Sequence, residues 1–149
     1  MERFEWSLRV ASAQRDRATV FARKHSFEVG VPVSFDTEYD RLTALEYVLG
    51  AFGADLVLGL QRSCRLRRLK VDTVEAVVHG ELDNPAVYLG VVGEEGRPGL
   101  SRASLRVYVD TVEDESKVQD AWTEALRLSP LADTLRGSVS LELVCKVSI

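Results

Sequence analysis

The stretch that most constrains the fold runs from residue 42 to residue 60 and reads LTALEYVLGAFGADLVLGL. Only two of its nineteen positions carry ionisable side chains, Glu46 and Asp55. Its apolar residues recur at helical spacing, and the alanines between them leave no clearly polar face. A helix that is apolar all round is predicted to lie in a core or an interface rather than on a surface.

A bilayer span is the other structure that such a stretch can form. Two carboxylates and three glycines inside it would be costly in lipid, so we expect no membrane partner. The formal net charge of −4 and the pI of about 5.3 provide no overall attraction to nucleic acid or to an anionic membrane. The first residues carry no apolar leader, and we therefore expect a cytoplasmic protein.

The bulk composition predicts a single domain over residues 1–149, since 46% of the residues are hydrophobic and can form a sizeable core. Cys64 and Cys145 lie far apart in the chain, and so do His25 and His79. Such isolated ligand types do not have metal-site spacing, and the glycines lack a phosphate-loop pattern. We expect neither a metal nor a cofactor.

The segment from Arg62 to Lys70 contains five basic residues in nine positions. A nucleic-acid interface would need such a patch. However, cations at a helix C-terminus also complement the helix dipole, and the segment has no interleaved aromatic side chains on which bases could stack. We interpret it as a solvated helix end and expect no nucleic-acid partner.

Alternating apolar residues precede the long helix. They predict strands at residues 4–12, 18–23 and 27–33, which we interpret as a three-stranded antiparallel meander. A loop of residues 35–41 then leads to the helix. Either Asp40 or Thr43 is expected to cap it, and Thr43 with Glu46 has the spacing of a capping box.

The second half mixes both periods and completes an α+β order. Ser129 followed by Pro130 ends one helix and has the N-cap and N1 residues that start another. Cys145 is predicted to face the core from the last strand. In chain order the predictions are a strand at 71–82, a short strand at 86–92, a strand at 100–110, a helix opened by the acids 113–115, a short helix at 131–136 and a strand at 139–149.

Asp55 needs a partner or a proton, because burying an unpaired carboxylate is costly. Glu46 lies about 13.5 Å away along the helix and on its opposite side. The two can therefore meet only if two copies of the helix supply them, which would suggest a symmetric dimer. Acidic neighbours would keep Asp55 protonated, which we expect, whereas a neighbouring Arg41 would keep it ionised. The alternative is that Asp55 is solvated at a cleft and Glu46 only serves the first helical turn.

Four segments carry a resemblance to a known family: SFDTEYDRLTALEYVLGAFGADLVLGL, VEAVVHGELDNP, LRVYVDT and LRLSPLADTL. With the order of elements, they resemble the OsmC/Ohr superfamily, named for osmotically inducible protein C and the organic hydroperoxide resistance proteins. The resemblance spans essentially the whole chain. It implies antiparallel sheets packed on a long buried central helix in an intertwined homodimer. Members of that family are cysteine-dependent peroxidases.

The chemical positions of that family differ in this chain. The resemblance places the family's reactive cysteine at Asp55 and its second cysteine at Ser129. The activating glutamate matches Glu46. The activating arginine corresponds to Glu38, with Arg41 as a possible substitute. The scaffold is thus supported by many residues, while the residues that perform the chemistry have changed.

Peroxide reduction needs a thiolate and a second thiol to resolve the sulfenic acid, and neither Asp nor Ser can provide this chemistry. The first hypothesis is a dimer without thiol peroxidase activity that binds a small apolar or cationic ligand in an interfacial pocket. The alternative is an enzyme in which Asp55, Ser129 and the partner's glutamate form an acid–base site. The pocket candidates are Glu38, Arg41, Glu46, Asp55 and Ser129.

Overall fold

The computed structural model describes residues 3–148, and the chain forms two compact units that divide between Val48 and Leu49. The chain combines mainly antiparallel strands with helices, as in an α+β fold. The long helix α1 (Ala44–Leu66) begins in the first unit and continues into the second.

The first unit contains the predicted antiparallel meander of strands β1 (Arg9–Gln14), β2 (Arg17–Ala22) and β3 (His25–Val29). The prediction of a strand from residue 4 is wrong, because residues 3–8 form no strand. Pairing of β1 with β2 begins only where Arg9 faces Phe21. Residues 4–8 alternate in hydrophobicity, yet a strand also needs a neighbour to bond its backbone groups.

The N-terminus of α1 is held by the predicted capping box. The Thr43 hydroxyl accepts a hydrogen bond from the Glu46 amide at 3.1 Å, and the Glu46 carboxylate accepts one from the Thr43 amide at 3.0 Å. Tyr47, one residue later, donates to the Glu28 carbonyl at 2.8 Å, and its ring lies 5.0 Å from that of Phe27. The first helical turn is therefore fastened to β3 of the same unit.

The second unit contains a sheet in the order β4 (Thr73–Leu82), β5 (Leu100–Asp110) and β6 (Ser140–Ser148). The β4–β5 pair is antiparallel, as the three-stranded meander is, whereas β5 and β6 are parallel. Parallel neighbours need a crossover connection. It is made by α3 (Glu115–Leu128) and α4 (Pro130–Arg136), which correspond to the two predicted helices.

The predicted short strand at residues 86–92 is wrong. The segment begins instead with a one-turn helix, α2 (Pro85–Tyr88), whose N-cap Asn84 accepts a hydrogen bond from the Ala86 amide at 3.1 Å. Asn followed by Pro is an N-cap and N1 pair, and this local signal outweighs the run of β-branched residues that follows.

The core of the second unit lies between α1, the sheet and α3. Strand β5 alternates as predicted, and Cys145 faces the core from β6. The fully buried side chains include Phe52, Leu56, Leu60 and Cys64 of α1, Leu105, Val107 and Val109 of β5, and Val118 and Ala121 of α3.

The opposite face of α1 is exposed in the single chain, so the predicted core location holds for one face of the helix, and burial of the other face in an interface stays a prediction. Leu58 is 66% exposed, and Ala51 and Ala54 are also exposed. Within residues 3–148, α1 is the helix long and apolar enough to cross a membrane by length and composition. Core helices of soluble domains meet the same criterion, and the buried side chains of α1 contribute to such a core.

Candidate functional site

Asp55 and Ser129 meet in the second unit although 74 positions separate them in the chain. The Ser129 hydroxyl donates to one oxygen of the Asp55 carboxylate at 2.9 Å. The other oxygen accepts the backbone amide of Leu131 at 3.0 Å. The two positions at which the resemblance places cysteines are therefore in direct contact.

Local sequence explains why this contact forms at the start of α4. Pro130 occupies the first helical position, and Ser129 is the N-cap whose hydroxyl accepts the Ala132 amide at 3.0 Å. The Leu131 amide is another first-turn donor without an intrahelical partner, and Asp55 supplies its acceptor. A negative charge is also stabilised at a helix N-terminus by the dipole. Asp55 and Ser129 thus cap α4 together.

This arrangement supplies the partner that a buried carboxylate needs. One oxygen of Asp55 accepts the Ser129 hydroxyl and the other accepts the Leu131 amide. The partner of Asp55 is therefore the start of α4.

The other three pocket candidates lie in the first unit. Arg41 is already bonded there, since its Nε donates to Glu28 at 2.7 Å and its Nη1 lies 3.3 Å from Asp16. The hydrogen bond from Arg41 is the main reason that the pKa of Glu28 is lowered, and the same bond raises the pKa of Arg41. Glu46 is occupied by the capping box, and Glu38 is exposed on the loop before the helix.

Arg41 and Glu46 line a depression of about 450 Å³ in the first unit. Its remaining walls come from the loop of residues 34–42 and combine polar side chains with those of Phe35 and Leu42. Glu38 is not among the residues that line it. The first unit thus brings two of its three candidates to one place.

A second cavity, of about 440 Å³, lies beside Asp55 and Ser129 within the second unit. It is bounded by the C-terminal half of α1, the end of α3 and the start of α4. We call it the α1–α3 cavity. Its lining residues are Asp55, Gly59, Arg62, Ser63, Leu66, Arg67, Glu124, Ala125, Leu128, Ser129 and Pro130.

From the sequence alone, Arg62 and Arg67 are predicted only to belong to a solvated helix end. One face of α1 carries four of the lining residues, spaced by four, three and four positions: Asp55, Gly59, Arg62 and Leu66. This spacing was the available signal. Whether the face borders a cavity depends on α3 and α4, which cover it from elsewhere in the chain.

Glu124 is the second acid that lines the α1–α3 cavity. Arg127 binds both of its carboxylate oxygens, at 2.9 and 2.6 Å. The hydrogen bond from Arg127 is the main cause of the lowered pKa of Glu124, and the positive charge of Arg67 contributes. Like Asp55, Glu124 is therefore a carboxylate already bonded to donors.

The two cysteines are buried and outside the cavity lining. Burial raises the pKa of the Cys64 thiol, and it raises the pKa of Cys145 to about 11. Both thiols are therefore protonated near neutral pH and are poor nucleophiles. Among residues 3–148, no three His, Cys, Asp or Glu side chains lie together as a possible metal site.

Residues 36–144 match the family described as OsmC-like protein, whereas a search of curated proteins gives no match. An OsmC-like protein from Mycoplasma pneumoniae superposes with a TM-score of 0.81 at 12% identity over 100% of both chains.

Two further solved structures are similar. The organic hydroperoxide resistance protein OsmC of Legionella pneumophila has a TM-score of 0.67 at 10% identity over 100% of both chains. The organic hydroperoxide resistance protein OhrB of Bacillus subtilis has a TM-score of 0.61 at 15% identity, with 95% of this chain and 98% of that chain covered. At these identities the likeness establishes the fold alone.

Proposed function

Because the chain belongs to the family of OsmC-like proteins, we propose that it is a non-catalytic homologue of the organic hydroperoxide resistance proteins. In this proposal it is a cytoplasmic homodimer that binds a small ligand and has no thiol peroxidase activity. The family resemblance supports the scaffold, and the residues at the chemical positions support the loss of activity.

The observation that carries the proposal is the hydrogen bond between Asp55 and Ser129. The resemblance assigns these two positions to the attacking and the resolving cysteine, and their contact supports that assignment. A carboxylate cannot form a sulfenic acid, and a hydroxyl cannot resolve one. The pair instead caps α4, which is a structural role.

The remaining thiols do not supply the missing chemistry. Cys64 is buried at 1% exposure and Cys145 at 7%, and the pKa of each is raised by burial. A peroxidatic cysteine needs the opposite environment, because the thiolate is the nucleophile. The acid–base alternative is weakened as well, since Asp55 and Ser129 are both occupied by bonds to α4.

The experiment that tests the loss of activity is a hydroperoxide reduction assay with cumene hydroperoxide and a dithiol. We expect the wild-type protein to show only background turnover, equal to that of Cys64→Ser and Cys145→Ser. Wild-type turnover that is clearly above background would contradict the proposal.

A second experiment tests the positional assignment. Because the resemblance places the family's two cysteines at positions 55 and 129, and the side chains there are in hydrogen-bond contact, we expect Asp55→Cys combined with Ser129→Cys to form an intrachain disulfide under mild oxidation. The single variant Asp55→Cys is the control and should keep its new thiol free. If oxidation did not remove two free thiols from the double variant, positions 55 and 129 would not correspond to the two family cysteines.

The homodimer is supported by apolar surface that a single chain leaves uncovered. Leu58 is 66% exposed on α1, and Phe4 and Trp6 are 82% and 83% exposed ahead of β1. Exposed apolar patches of this kind mark interaction sites in soluble proteins. A twofold axis would let each helix face cover its own copy in the partner.

Sedimentation of Leu58→Glu tests this dimer. Placing a charge in a buried interface is costly, so we expect the wild type to sediment as a dimer at micromolar concentration and Leu58→Glu as a monomer. Val92→Glu makes the same change at a residue that is 99% exposed outside the helix and should stay dimeric. A folded, monomeric wild type would refute the dimer.

A further inference from the structure

The α1–α3 cavity has the size and walls of a small-molecule site. Its volume of about 440 Å³ lies within the range of ligand pockets, roughly 300 to 1,000 Å³. Leu66, Ala125, Leu128 and Pro130 form apolar walls, and Leu66 and Leu128 are 68% and 48% exposed in the protein. An apolar ligand body would cover both leucines.

The charges of the cavity distinguish an anion from a cation. Both lining acids are engaged, since Asp55 binds Ser129 and the Leu131 amide, while Glu124 is bound twice by Arg127. Two arginines, Arg62 and Arg67, also line the cavity. Within the described range 3–148, their guanidinium groups form no ion pair and no side-chain hydrogen bond. The lining charges without a hydrogen-bond partner are therefore positive, although Arg67 is also close enough to Glu124 to contribute to its lowered pKa.

A buried hydroxyl in the same wall also has no partner. Ser63 is 7% exposed and lines the cavity, and its Oγ forms no hydrogen bond among the described residues. Leaving such a group without a hydrogen bond destabilises the protein. The Oγ itself has almost no accessible surface, so a ligand oxygen would pair with it only after the Ser63 side chain rotated toward the cavity.

The order of groups along α1 orients the ligand. Asp55 and Arg62 lie on one helix face and are separated by about 10 Å along the axis, from a rise of 1.5 Å per residue. An anionic head would be repelled by Asp55 and attracted by Arg62 and Arg67. Its apolar body would then extend past Gly59 toward Pro130.

We propose that the α1–α3 cavity binds a small organic anion with an apolar body, whose acidic head pairs with Arg62 and Arg67. This deepens the proposed function, on which it rests, by naming the chemical class of the ligand. It also replaces the cationic ligand suggested by Asp55 alone, because the Asp55 carboxylate is already bonded to α4.

Calorimetric titration at low salt with matched eight-carbon probes tests the proposal. We expect octanoate or octyl phosphate to bind the full-length protein, and the stronger of the two identifies the head group as carboxylate or phosphate. Octylamine and octanol share the apolar body without the negative charge and should bind at least about tenfold more weakly, the difference expected from losing a charged hydrogen bond. The proposal would be overturned if octylamine or octanol bound as tightly as the two anions.

Variants locate the binding site. Arg62→Gln and Arg67→Gln should each weaken anion binding by about tenfold, and Arg62→Lys should retain part of it because the charge remains. Arg65→Gln removes a charge from the same helix outside the cavity lining and should leave binding unchanged. Equal affinities for Arg62→Gln and wild type, with both folded by circular dichroism, would exclude the cavity.

The two proposals fail in different ways. Absence of anion binding in a protein that also lacks peroxidase turnover would refute the ligand class and leave the proposed function standing. Wild-type hydroperoxide turnover would refute the proposed function whatever the titrations show.

Discussion

Removing the Asp55 carboxylate should destabilise the protein, and Asp55→Ala, Ser129→Ala and their combination form the test. Three hydrogen bonds are involved: Ser129 to Asp55 at 2.9 Å, the Leu131 amide to Asp55 at 3.0 Å, and the Ala132 amide to Ser129 at 3.0 Å. The first bond is lost in both single variants, so their effects on the free energy of unfolding should not add.

The magnitudes follow from the kinds of bond. Asp55→Ala removes two bonds to a charged acceptor, each worth about 1.5–3 kcal/mol, at a half-buried position where water compensates in part. We expect a loss of about 3 kcal/mol. Ser129→Ala loses an N-cap, worth about 1 kcal/mol, and the bond to Asp55, for a total of about 2 kcal/mol. The double variant should lose about 1 kcal/mol less than the sum of the two single losses.

Urea denaturation at pH 7 and one fixed protein concentration would measure these losses, with the fluorescence of the buried Trp122 as a reporter. Asp133→Ala is the matched control. It removes an exposed acid from the first turn of the same helix and should cost at most about 1 kcal/mol, the contribution of the dipole interaction.

Two results would refute this reasoning. Asp55→Ala no more destabilising than Asp133→Ala would show that the carboxylate does not cap α4. If Asp55→Asn were more stable than wild type at pH 7, the carboxylate would destabilise the folded state, as expected if it were buried beside other acids. We expect Asp55→Asn to be less stable than wild type, because the amide cannot supply two charged acceptors.

Two further predictions concern α1 and the core. Gly53→Ala would place a Cβ 2.7 Å from the stiff side chain of Val78, whereas at Gly59 the nearest atom lies 3.8 Å away. Urea denaturation should therefore show that Gly59→Ala stabilises by about 1 kcal/mol through helix propensity, whereas Gly53→Ala destabilises by about 1–3 kcal/mol through overpacking; equal effects would contradict the contact at Gly53. Cys145, with its pKa raised to about 11 from 9.0, favours the protonated thiol in the folded state. The stability that this group contributes should be fully present below pH 9 and be lost as the pH rises to about 11. Unfolding midpoints measured over a pH series, with Cys145→Ala as control, would test this, and midpoints that stay constant above pH 9 would contradict it.

Local signals in the sequence determined several elements correctly. The Thr43 and Glu46 spacing predicted the start of α1, the alternation in residues 100–110 predicted β5 with its buried face, and Ser129 with Pro130 predicted the start of α4. Each of these depends on a period or a cap within a few residues, so no distant contact is needed to decide it. The resemblance to the family also singled out Asp55 and Ser129 as a pair.

Other features depended on which segments meet in space. A strand at residues 4–8 has the right alternation but no neighbour in the described chain, and the parallel pairing of β5 with β6 depends on the crossover through α3 and α4. The hydrogen bonds of Asp55 likewise depend on the start of a helix 74 positions away. The sequence neighbours of Asp55 are mostly apolar, and only the tertiary structure brings in the donors that bond its carboxylate. The α1–α3 cavity also depends on tertiary structure, because three helices form its walls. The sequence of α1 alone predicts only which residues share a helix face.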